Sequence, residues 1–294
     1  MTAIVYIDGK YYEKKDAKVS VYDHGLLYGD GIFEGIRIYS GNIFKLDAHL
    51  ERLYESAKTI MLNIPLNLKE MKDACISTVR KSGLRDGYIR LMVTRGLGDL
   101  GLDPRKCPKA TVIIIVDIIK MFPEHFYTKG LEVATVPTVR NMADALNPKI
   151  KSLNYLNNVM AKIEANNMGV PEGLLLNVQG YVTEGTGDNI FIVKKGVLRT
   201  PPSYDGALAG ITRNSIIEMA TKRAYTCEKK TLTRHDLYNA DECFLTGTAA
   251  ELIPVIKIDG RVIGDGKPGP IFKRLLAEFR KMTVTDGYQV FKKR

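Results

Sequence analysis

The sequence is poor in residues that mark disulfide-linked, metal-binding or membrane-spanning proteins. Its 294 residues include no tryptophan, four histidines and four cysteines. No two cysteines have the spacing of a disulfide framework or a zinc knuckle, so we expect a reducing compartment and a cytoplasmic protein. Its most apolar run, residues 111–119, is too short to span a membrane and contains Asp117. The N-terminal residues lack a basic stretch followed by an apolar core, so no signal peptide is expected.

The charge balance is strongly basic, with a formal net charge of +10. Basic residues are spread along the whole chain, and their densest run is residues 291–294. The sequence shows neither a basic helix stripe nor a basic sheet interleaved with aromatics, as nucleic-acid binders do. We therefore expect a solvated basic surface that attracts small anions, with no nucleic-acid partner and no membrane.

The distribution of strand and helix patterns predicts two α/β (α+β-like) domains. A hairpin is expected around Asp8-Gly9, and a helix over 45–62 is expected to be capped by Asp47. The other predicted elements are helices at 68–83, 154–168, 212–224 and 269–283, and strands at 88–96, 110–119, 131–138 and within 173–200. Pro123 and Gly130 interrupt the pattern. We predict an N-terminal domain over 1–119, an interdomain linker over 120–130 and a C-terminal domain over 131–294.

Several familiar catalytic motifs are absent or incomplete. Residues 96–101, GLGDLG, match the dinucleotide-binding pattern GxGxxG, which requires a helix directly behind it. Pro104 and Pro108 prevent such a helix, so we reject this interpretation. The sequence has no GxSxG or HExxH, and its histidines are far apart. Neither a hydrolase triad nor a metal site is expected.

The stretch PKIKSLNYL, residues 148–156, places two lysines immediately before a predicted amphipathic helix. Val159, Met160 and Ile163 recur with roughly helical spacing and predict a face that packs into the core. A lysine here is either a solvated surface residue or a nucleophilic amine shielded by burial. Alternation cannot distinguish Lys149 from Lys151, because both would lie on one face of a strand.

Residues 181–216 combine a buried carboxylate with a helix start. Glu184 lies at the end of a predicted buried strand, and a lone carboxylate there needs a cationic partner unless the turn is exposed. Free backbone N–H groups of Ile211 and Thr212, at the start of a helix, can bind an anion. Thr246 and Thr248 end another core strand and can donate hydrogen bonds. An amine, a carboxylate and anion donors together are what pyridoxal phosphate requires.

The same region matches the class IV aminotransferase pattern E-x-[ST]-x-x-N-[IL]-F, L-x-T, L-x-G-I-T-R. The matching residues are Glu184, Thr186, Asn189, Ile190, Phe191, Leu198, Thr200, Leu208, Gly210, Ile211, Thr212 and Arg213. The chain resembles class IV, fold-type IV pyridoxal phosphate-dependent aminotransferases over nearly its full length, and within that class the branched-chain-amino-acid aminotransferases. The resemblance implies a smaller N-terminal α/β domain and a larger C-terminal cofactor-binding domain with a barrel-like sheet.

The resemblance also implies roles for individual residues. Lys151 would form the Schiff base with pyridoxal 5'-phosphate, leaving Lys149 as a neighbour. The other implied cofactor contacts are Arg52, Tyr155, Glu184, Leu208, Ile211, Thr212 and Thr248. The implied substrate contacts are Tyr28, Phe33, Gly35, Arg37, Tyr88, Arg90, Leu102, Thr248, Ala249 and Ala250. Tyr28 and Leu102 would reach the partner's pocket, which implies a homodimer or higher homo-oligomer.

Class IV also contains D-amino acid aminotransferases and aminodeoxychorismate lyases, which stay as alternatives. The D-amino acid enzymes usually carry an Arg-Asn-His carboxylate trap where this chain has LGDLGLDP, and the lyases generally replace the GTAA turn. Both features favour the branched-chain type. The expected reaction moves the amino group of L-leucine, L-isoleucine or L-valine to 2-oxoglutarate, and Arg90 or Arg37 could meet the second carboxylate of glutamate.

Overall fold

A computed structural model describes residues 3–119 and 122–291. The chain divides into two compact units. The first comprises the described residues of Met1–Ile119, Ile150–Tyr155 and Lys281–Arg294, and the second those of Lys120–Lys149 and Leu156–Arg280. Residues 150–155 and 281–291 therefore group with the first unit, although the linear division predicted from the sequence placed them in the C-terminal domain. Lys120 and Met121 of the predicted linker lie outside the described residues, and the rest of it groups with the second unit.

Nine α-helices occur in the described ranges, and two short 3-10 turns lie at Pro104–Lys106 and Ser203–Asp205. The helices are α1 (His24–Tyr28), α2 (Leu46–Thr59), α3 (Leu68–Ser82), α4 (Glu124–Lys129), α5 (Ala143–Leu146), α6 (Leu156–Asn167), α7 (Ile211–Lys222), α8 (Arg234–Tyr238) and α9 (Pro270–Thr283). None of these helices combines the length and apolar character needed to cross a membrane. The described residues also contain no group of three or more potential metal ligands.

The first unit is built on a seven-stranded sheet. Its strands are β1 (Ile4–Ile7), β2 (Lys10–Glu13), β3 (Gly31–Tyr39), β4 (Asn42–Phe44), β5 (Gly87–Thr94), β6 (Thr111–Asp117) and β16 (Gly287–Gln289). They are arranged in the order β16-β4-β3-β5-β6-β1-β2, with every pairing antiparallel. Buried apolar residues of α2 and α3, such as Leu50 and Val79, share one core with strand residues such as Ile36 and Ile89.

The second unit contains a nine-stranded mixed sheet. Its strands are β7 (Leu131–Thr135), β8 (Glu172–Leu176), β9 (Val182–Gly185), β10 (Asn189–Lys194), β11 (Val197–Thr200), β12 (Cys227–Lys229), β13 (Glu242–Gly247), β14 (Glu251–Ile258) and β15 (Arg261–Val262). The order is β12-β11-β10-β13-β14-β7-β8-β9, with β15 paired to β14. Both units mix helices with sheets, so the α/β class expected from the sequence is confirmed.

The predicted hairpin at the N-terminus is confirmed, whereas the predicted helix cap is wrong. Asp8 and Gly9 both have positive φ, as a two-residue hairpin turn between β1 and β2 requires. Helix α2 begins after Lys45, which has φ of 50° and forms no side-chain cap. Asp47 lies in the first turn instead, where a carboxylate favours the positive end of the helix dipole.

The face on which α6 packs differs from the predicted one. Val159, Met160 and Ile163 were expected to be buried, but all three are exposed. The buried residues of α6 are Asn158, Ala161 and Ala165. A Cβ at Gly173 of β8 would lie 3.1 Å from the Ala165 Cβ, so the helix approaches this strand too closely for large side chains. Close packing on β8 therefore overrides the apolar periodicity of the helix.

Candidate functional site

In the first unit, a short segment that contains Lys151 pairs with the edge of β3. The Phe33 N–H donates to the Lys151 carbonyl at 2.9 Å, and the Leu153 N–H donates to the Gly31 carbonyl at 2.9 Å. On the same edge β4 pairs only with Ile38 and Tyr39, the last residues of β3. The remaining part of this edge holds the main chain of Lys151 in a fixed register beside Phe33.

The Lys151 amine lies between two aromatic rings. Its Nζ is 3.3 Å from the Tyr155 hydroxyl and 4.5 Å from the centre of the Phe33 ring. No carboxylate among the described residues forms an ion pair with this amine. Lys149, by contrast, is exposed, and its backbone N–H donates to Asn147. The structure thus separates two lysines that the sequence pattern left equivalent.

Tyr88 and Arg90 of β5 lie beside Phe33 on the same side of the sheet. The Arg90 guanidinium stacks 4.5 Å from the centre of the Phe33 ring and 5.7 Å from that of Tyr88. A Cβ at Gly35 would lie 1.9 Å from the Tyr88 hydroxyl, so only glycine leaves space for this ring. Burial raises the pKa of Tyr88, which keeps its hydroxyl protonated at neutral pH. These residues form an aromatic surface with one cation.

Arg52 is buried in an ion-pair network with Glu34 and His49. Arg52 Nε and Nη2 donate to the two Glu34 oxygens at 2.7 and 2.8 Å, and His49 Nδ1 donates to Glu34 at 2.7 Å. Burial alone would raise the pKa of Glu34, but the positive charge of Arg52, with the His49 contact, lowers it to about 2. Burial lowers the pKa of His49, so this side chain is neutral at pH 7. The network fixes the plane of the Arg52 guanidinium.

Tyr28 and Leu102, two other residues implied by the resemblance, lie in neighbouring surface segments. The Tyr28 hydroxyl donates to the Leu100 carbonyl at 2.6 Å, which ties α1 to the loop that carries Leu102. Tyr28 is 37% exposed and Leu102 is 78% exposed. Arg37 stacks 4.8 Å from the centre of the Tyr39 ring. These contacts are separate from those of Lys151 described above.

In the second unit, Glu184 is buried at the end of β9 and paired with Arg140. Arg140 Nη2 donates to Glu184 Oε1 at 2.6 Å, and both residues are 5% exposed. The other carboxylate oxygen, Oε2, accepts bonds from Asn189 Nδ2 at 3.1 Å and from the Leu208 N–H at 2.9 Å. The cationic partner that the sequence argument required for a buried Glu184 is therefore Arg140.

Further donors surround the start of α7. Gly210 precedes the helix and has no side chain to cap Ile211 and Thr212, whose backbone N–H groups form its first turn. Thr248, Ala249 and Ala250 form the turn between β13 and β14, in the same unit. The buried hydroxyl of Thr246, just before this turn, has no hydrogen-bond partner within the described part of the chain. The second unit thus supplies the buried Glu184 carboxylate and polar groups suited to an anion.

Sequence reasoning gave no role to four residues that organise these clusters: Glu34, His49, Arg140 and Asn158. Asn158 accepts from Arg140 Nη1 at 2.9 Å and donates to the Thr186 carbonyl at 2.8 Å. Charged or amide residues at predicted core positions were the available signal, because such groups are buried only when they are paired. Their partners are 15–44 residues away, a separation at which sequence pattern carries no pairing information.

Comparison with known proteins assigns the family. The family model described as amino-transferase class IV matches residues 31–258. A Methanocaldococcus jannaschii protein, provisionally named a branched-chain-amino-acid aminotransferase, is 54% identical over 287 residues, covering 98% of this chain and 99% of that protein. The crystal structure of the Escherichia coli branched-chain amino acid aminotransferase is similar with a TM-score of 0.94 at 33% identity, covering 100% of this chain and 98% of that one.

A third similar protein is the branched-chain amino acid aminotransferase from Thermobaculum terrenum, whose crystal structure is that of the holo-form with pyridoxal phosphate. It has a TM-score of 0.86 at 30% identity, covering 95% of this chain and 93% of that one. The fold-type IV architecture expected from the sequence is confirmed by these similarities. The chain belongs to the class IV aminotransferase family.

Proposed function

We propose that this protein is a branched-chain-amino-acid aminotransferase that depends on pyridoxal 5'-phosphate. It moves the amino group of L-leucine, L-isoleucine or L-valine to 2-oxoglutarate, giving the 2-oxo acid and L-glutamate, and runs in reverse for biosynthesis. The names of its relatives support this reaction, and the pyridoxal phosphate form of the Thermobaculum terrenum enzyme supports the cofactor.

The placement of the Lys151 amine is the observation that carries the proposal. A structural lysine is normally solvated or paired with a carboxylate. Lys151 instead has its main chain fixed on β3 and its Nζ between Phe33 and Tyr155, 3.3 Å from a hydroxyl. An amine held in this way is suited to act as a nucleophile toward an aldehyde and then as a proton carrier.

The residues present fit pyridoxal phosphate. The first unit supplies an amine with no carboxylate partner in the described residues, and the second supplies a buried carboxylate and a helix start without a capping side chain. When bound, the cofactor supplies an aldehyde that accepts amines and a protonated ring that acts as an electron sink. Each of these properties has a matching group on this chain.

We assign the protein's cofactor contacts as follows. Lys151 forms the covalent link, and Tyr155 donates to or accepts from the ring hydroxyl. Glu184 would pair with the ring nitrogen, and its bonds from Arg140 and Asn189 hold the carboxylate in position. Leu208 packs against the ring. The phosphate contacts are Arg52, Ile211, Thr212 and Thr248.

The aromatic surface around Phe33 suits the two kinds of substrate that the reaction requires. Phe33 and Tyr88 offer apolar contact to a branched alkyl side chain. Arg90 stacks on both rings, and no carboxylate in the described residues pairs with it, so it is available to the second carboxylate of glutamate. The remaining proposed substrate contacts are Gly35, Arg37, Tyr28, Leu102, Thr248, Ala249 and Ala250.

We also propose that the protein is a homodimer located in the cytoplasm. Each chain would have two domains, divided near residue 119. The exposed apolar side chains of Tyr28 and Leu102 support an interface, because large apolar residues on adjoining surface segments favour association. The four cysteines are free, as expected in a reducing compartment.

The proposal is tested by the absorbance of purified protein before and after adding L-leucine. The wild-type protein should carry a visible cofactor band that shifts within the first turnover when L-leucine is added. Lys151→Ala should fold, lose this response and lose turnover, because it removes both the covalent link and the proton carrier. Lys149→Ala is the matched control and should behave as the wild type. A colourless wild-type protein, or full activity in Lys151→Ala, would refute the proposal.

A further inference from the structure

Arg213 is a buried cation with only neutral hydrogen-bond partners. It is 2% exposed. Its guanidinium donates to Thr200 Oγ1 at 3.2 Å, to Asn214 Oδ1 at 3.2 Å and to the Pro201 carbonyl at 2.8 Å. No carboxylate in the described ranges bonds to it. Burial lowers the pKa of Arg213, but an arginine stays protonated at neutral pH. The positive charge is therefore only partly compensated.

The position of Arg213 in the chain makes its buried positive charge still less favourable. It is the third residue of α7, directly after Ile211 and Thr212. The N-terminus of a helix carries a partial positive charge, so a cation in the first turn is unfavourable. The carboxylate of Glu184 is close enough to attract Arg213, but its oxygens already accept bonds from Arg140, Asn189 and Leu208. An anion bound at the start of α7 would offset both the free-energy cost of burying the Arg213 charge and its repulsion by the helix dipole.

We infer that the positive charge of Arg213 makes the start of α7 selective for a phosphate dianion. The charge acts by raising the electrostatic potential at the N–H groups of Ile211 and Thr212. The inference rests on the proposed function, in which those two residues bind the cofactor's phosphate. Arg213 does not touch the ligand in this account, so it is a positioning residue. Its side-chain bonds are directed to Thr200 and Pro201, which hold the guanidinium in a fixed position.

The phosphate dependence of binding separates this role from a purely structural one. Full-length protein stripped of cofactor is titrated with pyridoxal phosphate and with pyridoxal, which lacks the phosphate, and the absorbance change is recorded. Arg213→Met should weaken pyridoxal phosphate binding at least about tenfold, the size of effect that a partly screened buried charge exerts on a nearby dianion. It should change pyridoxal binding by less than about threefold. Arg213→Lys, which keeps the charge, should bind both ligands within about threefold of the wild type.

Two further variants serve as a control and as a test independent of folding. Arg223→Met removes the same charge at the other end of α7 and should leave both affinities unchanged, because the charge there is exposed and distant. Cys227→Asp places a carboxylate within electrostatic range of Arg213. This variant should raise the midpoint temperature of thermal unfolding, because the new carboxylate compensates the buried charge of Arg213. It should nevertheless weaken pyridoxal phosphate binding. If Arg213→Met does not fold, Cys227→Asp decides the question.

The outcomes distinguish this inference from the proposed function. Unchanged pyridoxal phosphate affinity in Arg213→Met or Cys227→Asp would overturn the role of Arg213, as would an equal loss for pyridoxal. A wild-type protein that binds pyridoxal as tightly as pyridoxal phosphate would instead show that α7 holds no phosphate. In that case Thr212→Val should also have no effect on either affinity, and the phosphate assignment itself fails.

Discussion

The buried Glu34 carboxylate makes a specific prediction about stability and pH. Its pKa lies at about 2 instead of its ordinary 4.5, because Arg52 and His49 outweigh the effect of burial. A difference of this size corresponds to about 3 kcal/mol of unfolding free energy. Since the folded-state pKa is depressed, this contribution is fully present above pH 4.5 and is lost as the pH falls toward 2.

Replacing Glu34 by glutamine leaves Arg52 buried without its counter-charge. We expect Glu34→Gln to lower the unfolding free energy at pH 7 by about 3–5 kcal/mol, the cost of breaking a buried pair from one side. The difference between wild type and variant should shrink by about 1.4 kcal/mol between pH 6 and pH 3.5, because in this range only the wild type has a carboxylate at position 34 that takes up a proton on unfolding. Urea unfolding at several pH values measures both quantities.

Glu51→Gln is the matched control, because Glu51 lies next to Arg52 on α2 but is exposed. It should change the unfolding free energy by less than about 0.5 kcal/mol at neutral pH. A Glu34→Gln variant with wild-type stability would refute the buried network. If the unfolding free energies of the wild type and Glu34→Gln differ by the same amount at every pH down to 3.5, the depressed pKa of Glu34 is refuted.

Three further predictions concern residues of the proposed cofactor and substrate sites. Glu184→Gln should retain the cofactor but lower the turnover rate about a hundredfold, because a neutral amide no longer stabilises a protonated ring nitrogen; an unchanged steady-state rate would contradict its role. Arg90→Leu should slow the half-reaction with glutamate more than the one with leucine in stopped-flow measurements, and equal slowing would exclude Arg90 as the carboxylate partner. Gly35→Ala should displace the Tyr88 ring, because the Tyr88 hydroxyl would lie 1.9 Å from the added Cβ. This displacement should lower the unfolding free energy by about 1–3 kcal/mol. A thermal unfolding midpoint equal to that of the wild type would contradict this packing.

Local patterns in the sequence predicted the elements whose formation depends on neighbours in the chain. The Asp8-Gly9 hairpin follows from turn chemistry, and the helix predicted over 68–83 is present as α3. The face of α6 did not follow from periodicity. Its packing is decided by a strand that begins after the helix ends, and the short distance to Gly173 admits only small residues.

The candidate site was only partly predictable for the same reason. Glu184 could be singled out because a carboxylate at the end of a buried strand needs a partner, yet nothing in the sequence indicated that the partner is Arg140. Lys151 could not be separated from Lys149 by alternation, because the choice depends on pairing with β3, more than a hundred residues earlier. Only the resemblance to a known family distinguished the two lysines before the structure did.

The half-reactions of the cofactor-loaded protein with L-leucine and with D-alanine test the central claim most directly. Both are followed by the loss of the visible cofactor band in a stopped-flow instrument, without a second substrate. We predict a fast reaction with L-leucine and a slow or undetectable one with D-alanine. L-isoleucine and L-valine should differ from L-leucine only modestly, since one methylene more or less costs roughly 1–3 kcal/mol in an apolar pocket. A reaction with D-alanine as fast as that with L-leucine would contradict the branched-chain assignment.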